Sequence, residues 1–133
     1  MATIFAHAYE KGIDSQPRKT NIVAALVRDR YVADAVVILE HTQRRAAKAV
    51  LKAVESANAN LLNNSKKSID PKTVRIARIV VTSGTRMRRY KPASRGRALP
   101  YEIISSNIFV EVAGEEKEKK AAPAKAAEKK EKK

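Results

Sequence analysis

Thr85 to Arg97 reads TRMRRYKPASRGR and carries six basic residues, Arg86, Arg88, Arg89, Lys91, Arg95 and Arg97, with no acidic one. It lies between two stretches of strand character. Val74 to Thr82 is rich in β-branched residues, and Ser106 to Val112 alternates, with Ile108, Val110 and Val112 expected inward and Asn107, Phe109 and Glu111 outward. The pair reads as antiparallel partners joined by a long excursion that turns near Lys91 to Ser94. If both limbs run as strand to that turn, each is about 20 residues and about 60 Å long at roughly 3.3 Å per residue. A body of about 70 residues is only about 28 Å across. The hairpin, spanning residues 74–112, must therefore project. Like charges on facing strand ends repel and an isolated hairpin is marginal in water, so the order of this arm is expected to come from a polyanion.

Composition points to the same partner. Lys and Arg number 28 against 14 Asp and Glu, which leaves +14 on 133 residues and a pI near 10.2. Such a field attracts phosphates or anionic lipid. No apolar run approaches the roughly 20 residues that span a bilayer, and the basic stretch carries no row of Trp, Phe or Leu opposite its charges, so no membrane partner is expected. The start, MATIFAHAYEKG, lacks the pattern of a secretory signal and implies a cytoplasmic protein. Without cysteine there is neither a disulfide framework nor a thiolate metal site. The length suits one domain, 1–113, followed by a low-complexity Lys/Glu/Ala tail, 114–133, expected to be disordered.

Upstream of the hairpin the pattern is helical after one strand. Thr3 to Tyr9 alternates, with Thr3, Phe5, His7 and Tyr9 on one side and Ile4, Ala6 and Ala8 on the other. Asp14 or Ser15 is the expected cap of a helix that opens on Pro17 and runs to about Val27, with Ile22, Val23, Leu26 and Val27 as its apolar face. Val32, Ala35, Val36 and Leu39 mark a second, short helix that His41 and Thr42 end. Thr42 is also the expected N-cap of a third, whose stripe is Ala46, Ala47, Val50, Leu51, Val54 and Ala57 and which ends near Asn60 to Asn64. The fold class is thus α+β: three helices packed on a small antiparallel sheet, with a long protruding β-hairpin and a disordered C-terminal tail.

Catalysis finds no support. His7 and His41, the two histidines, fit no ligand spacing, the carboxylates are scattered, and the glycines form neither a phosphate loop nor a dinucleotide turn, so no cofactor and no enzyme activity are expected. The arm has a different character. Its arginines outnumber lysine five to one, which suits bidentate phosphate contacts, and Tyr90 offers a stacking surface.

Three segments together resemble one family, the bacterial-type large-subunit (50S) ribosomal protein number twenty-two, whose β-hairpin lines the exit tunnel. They are Pro17-Arg18-Lys19 followed by Ile22-Val23-Ala24 and Leu26-Val27-Arg28; Ala46-Ala47 leading through Val50, Lys52 and Val54 to Ser56-Ala57, Ala59-Asn60 and Asn64; and Gly84 through Met87-Arg88-Arg89 to Pro92 and Arg95-Gly96-Arg97-Ala98. The resemblance implies a structural constituent of the large subunit that binds 23S rRNA, supports subunit assembly and lines the polypeptide exit tunnel. Its partners would be 23S rRNA, neighbouring large-subunit proteins and the nascent chain, with no homo-oligomer. By position it implies rRNA binding by Arg18, Lys19, Arg28, Arg86, Arg88, Arg89, Lys91, Arg95 and Arg97. Met87, Arg88, Arg89 and Tyr90 would line the tunnel.

This chain departs from the family pattern at several places. Thr20 and Asn21 stand where a hydrophobe and an arginine are usual, weakening one expected body contact. Ala93 replaces a basic residue after Pro92, and Ile103, Ile104 and Asn107 replace two cations and a histidine on the returning limb. Two other readings fit the residues: a DNA-architectural protein whose basic arm wedges Pro92 between base steps, and an RNA-binding regulator outside any particle.

Overall fold

In the computed structural model, which describes residues 3–65 and 69–115, strand β1 (Thr3–Ile13) leads into helices α1 (Pro17–Val27), α2 (Val32–His41) and α3 (Arg45–Asn64). Strands β2 (Arg75–Pro92) and β3 (Ala98–Glu115) follow, joined by a 3-10 turn at Ser94–Gly96. The sheet is antiparallel in the order β1-β3-β2, which puts the last strand in the centre. The core lies between one sheet face and the helices, as the α+β expectation requires.

Ile108, Val110 and Val112 are fully buried, as expected of the inward set of β3. Val110 and Val112 pair with Ala8 and Ala6 on one side and with Ile79 and Ile76 on the other. The helices answer with Val23 and Val27 of α1 and with Ala46, Ala47, Val50, Ala53, Val54, Ala57 and Leu61 of α3. Alanine at four of those α3 positions lets a 20-residue helix lie close to the sheet. The buried hydrophobic side chains are all aliphatic: no Phe or Tyr is among them.

Local details differ from expectation, each for a tertiary reason. Helix α1 starts after Gln16, which makes no side-chain cap; Asp14 pairs with Arg45 instead, and the Ser15 amide turns back to the Ile13 carbonyl at 2.8 Å. Its buried face is Thr20, Val23, Ala24 and Val27, whereas Ile22 and Leu26 are exposed. Thr42 closes α2 rather than opening α3, because its hydroxyl donates to the Ile38 carbonyl at 2.7 Å, and α3 begins after Arg44. Strand β1 runs on to Ile13 through a register shift after Glu10. Gly114 is buried and Glu115 pairs with Thr3, so the sheet extends two residues past the expected domain boundary; the rest of the expected tail lies outside the described residues.

Both sheet edges are partly closed at the body. The turn between α1 and α2 hydrogen-bonds to β2, with the Val32 amide on the Val74 carbonyl and the Ile76 amide on the Arg30 carbonyl, both 2.9 Å. Asn60 of α3 donates to the His7 carbonyl of β1 at 3.1 Å. Such contacts satisfy polar groups that would otherwise template strand addition.

Candidate nucleic-acid interface

The β2–β3 pair outruns the body. From Thr85 to Ile103 every residue is exposed except the half-buried Ala93. The eight residues from Thr85 to Pro92 carry the arm about 26 Å at roughly 3.3 Å each. The turn lies slightly later than expected, at Ser94 to Gly96, where Arg95 and Gly96 take φ of 59° and 68° and the Ala93 amide meets the Arg97 carbonyl at 2.8 Å. Pro92 pairs with Ala98 at the end of the ladder, not at the apex where a wedge would stand.

The arm does not face charge with like charge. Arg86, Met87, Arg88, Arg89, Tyr90 and Lys91 lie opposite Ile104, Ile103, Glu102, Tyr101, Pro100 and Leu99. The basic limb thus pairs with an apolar and aromatic one, and the expected repulsion is absent. Glu102 adds attraction, 3.9 Å from Arg86 and 3.7 Å from Arg88, and the Lys91 ammonium sits 5.0 Å from the Tyr101 ring centroid. Exposed pairs of this kind are each worth about 0–1 kcal/mol, enough to align side chains but not to withhold them from a stronger anion.

Strand geometry divides the candidate residues between two faces. Arg86, Arg88 and Tyr90 share one with Glu102. Met87, Arg89 and Lys91 share the other with Leu99, Tyr101 and Ile103. The four residues expected to line a tunnel therefore alternate. Arg95 and Arg97 are exposed at the tip.

Where the arm leaves the body, a cleft of about 530 Å³ is lined by Lys19, Arg44 and Arg45 together with Gln16, Asp14, Glu102, Ile103 and Ile104. The structure thus gathers Lys19 with two arginines at the start of α3 that were not among the expected RNA-binding residues; the Gln43-Arg44-Arg45 run before an alanine-rich helix was the available signal. Arg18 is exposed on the first turn of α1, and Arg28 is exposed at its far end, about 15 Å away at roughly 1.5 Å per residue.

The arm's root is fixed by two β3 side chains whose partners no local pattern announces. The Ser105 hydroxyl donates to the Thr85 carbonyl at 2.9 Å, and Asn107 accepts the Gly12 amide at 3.0 Å, tying β3 to both neighbours. Asn107 is therefore a structural joint. Among the described residues no cluster of His, Asp or Glu could hold a metal ion, and no helix is long and apolar enough to cross a membrane.

Residues 8–113 match the family model described as ribosomal protein L22p/L17e. The large ribosomal subunit protein uL22 of Granulibacter bethesdensis is 40% identical over 121 residues, covering 90% of this chain and 90% of its own. Its counterpart in Metamycoplasma hominis is 36% identical over 107 residues, 80% of this chain and 81% of its own. That of Gluconacetobacter diazotrophicus is 36% identical over 127 residues, 96% and 93%.

Proposed function

This chain belongs to the ribosomal protein L22p/L17e family, and from that premise we propose that it binds 23S rRNA and lines the polypeptide exit tunnel with its arm. The coarser statement follows from the relatives: the chain is a structural, non-enzymatic constituent of the large ribosomal subunit. The observation that best supports the finer one is the arm itself, a paired ribbon clear of the body that bears six cations and a single carboxylate, Glu102. A ribbon of that length and charge can lie between RNA segments and neutralise phosphates on both flanks, with each cation it sets on a phosphate releasing a counterion.

In this reading Arg86, Arg88, Arg89, Lys91, Arg95 and Arg97 hold rRNA along the arm, and Arg18, Lys19 and Arg28 hold it from the body. Met87, Arg88, Arg89 and Tyr90 line the tunnel beside the nascent chain, Met87 and Arg89 from one face of the ribbon and Arg88 and Tyr90 from the other. Neighbouring large-subunit proteins complete the partners, and assembly is the process served.

Two measurements test this. The protein should sediment with large subunits at stoichiometric amount, and the arm, open to trypsin at Arg86 to Arg97 in the free chain, should be protected inside the particle. A chain that stays at the top of the gradient, or an arm cut equally fast in both states, contradicts the proposal.

A further inference from the structure

The helices cover one face of the sheet and leave the other bare. Its residues form cross-strand rows: Phe5, Ala113 and Arg75; His7, Glu111 and Arg78; Tyr9, Phe109 and Val80. Phe5 is 59% and Tyr9 48% exposed, and Phe109 is half-buried. The His7 and Phe109 rings stack with centroids 5.9 Å apart and planes 28° from parallel, and the Lys11 ammonium lies 5.3 Å from the Tyr9 centroid.

This placement runs against ordinary burial. Aromatic rings carry the largest apolar areas of any side chains and usually dominate a core. Here the core is aliphatic, and all six Phe and Tyr residues lie outside it, three on the bare sheet face, two on the arm and Tyr31 before α2. Rings held on a rigid sheet and flanked by cations have the chemistry that stacks on nucleobases, as sheet platforms for single-stranded RNA do.

We propose that the bare sheet face, with Phe5, Tyr9 and Phe109 as its rings and Lys11, Arg75 and Arg78 as its cations, is a stacking platform for unpaired RNA bases. It rests on the reading that RNA is the partner and adds a second contact, separate from the phosphate-binding arm. Charge favours RNA over protein: three cations outnumber two carboxylates, Glu111 and Glu115, on a chain of net charge +14. Continuity favours it too. Alternate residues of β3 keep to one side of the strand, so Leu99, Tyr101 and Ile103 of the arm lead, across the buried Ser105, to Asn107 and Phe109 of the platform. One RNA strand can therefore follow both.

The test uses the full chain, an unstructured uridine-rich decanucleotide and an RNA duplex of equal charge. The double variant Phe5→Ala/Tyr9→Ala alters exposed side chains of an edge strand and should keep its circular dichroism. It should bind the single strand at least tenfold more weakly, with duplex affinity and salt slope nearly unchanged, because stacking releases few counterions. Tyr9→Leu, which keeps apolar bulk without a ring, should lose affinity as well. The arm variant Arg86→Gln/Arg88→Gln/Arg89→Gln should instead weaken both ligands and flatten the slope. Undiminished single-strand binding by the ring variants overturns the proposal. So does ultraviolet cross-linking in assembled subunits that joins Tyr9 or Phe109 to protein and not to nucleotide. Failure to sediment with subunits would defeat the ribosomal reading while leaving the decanucleotide result standing.

Discussion

Thr20 is fully buried, with its hydroxyl 3.2 Å from that of Ser106 and 3.2 Å from the Gln16 carbonyl. Thr20 donates to that carbonyl, which leaves Ser106 to donate to Thr20, so each hydroxyl covers the other's need beneath the sheet. Of the two departures from the family pattern on α1, Thr20 thus lies inside the body and Asn21 on its surface. Thr20→Val should cost about 1–3 kcal/mol by stranding the Ser106 hydroxyl. Adding Ser106→Ala should cost less than the sum of the two single changes, a coupling that urea denaturation of the double-mutant cycle would measure. Strict additivity would mean that the two hydroxyls do not support each other. The partner stands 86 positions away, and no local pattern in the sequence announces it.

At the scale of elements, the hairpin was legible because its length could not fit inside so small a body and because β-branched residues mark both limbs. Register was not legible. The shift between Ser83 and Arg86 decides that cations meet apolar partners, and Gly84 sits within it. A Cβ at Gly84 would stand 2.6 Å from the Ser105 hydroxyl and 3.1 Å from Asn107 Oδ1, the two side chains that tie the root together. Gly84→Ala should therefore destabilise the protein by about 1–3 kcal/mol and loosen the arm. Hydrogen exchange should rise at Thr85 and Ser105 while the α3 amides stay protected. Unchanged protection at the root would show that it tolerates a side chain there. The helix caps were misplaced for a related reason: Asp14 and Thr42 carry good capping groups, but Arg45 and the Ile38 carbonyl engage them first.

For the whole molecule, the +14 charge sets how strongly it attracts polyanions and how steeply salt weakens the attraction. If the arm's six cations all meet phosphate, affinity for an rRNA fragment should fall roughly a thousandfold between about 50 and 200 mM salt. Their replacement by Gln should flatten that dependence in a filter-binding titration; an equal slope would show that the arm makes no ionic contact. The sequence by itself determined the strong positive charge, the three helices, the inward set of β3 and the presence of a projecting arm. Charge, periodicity and chain length are additive along the chain and need no partner to be counted. Tertiary structure alone decided which arm residues share a face, which cations gather at the root and that the aromatic rings line an open sheet. Those depend on strand register and on which sheet face the helices cover, and both are fixed by contacts between residues far apart in the chain.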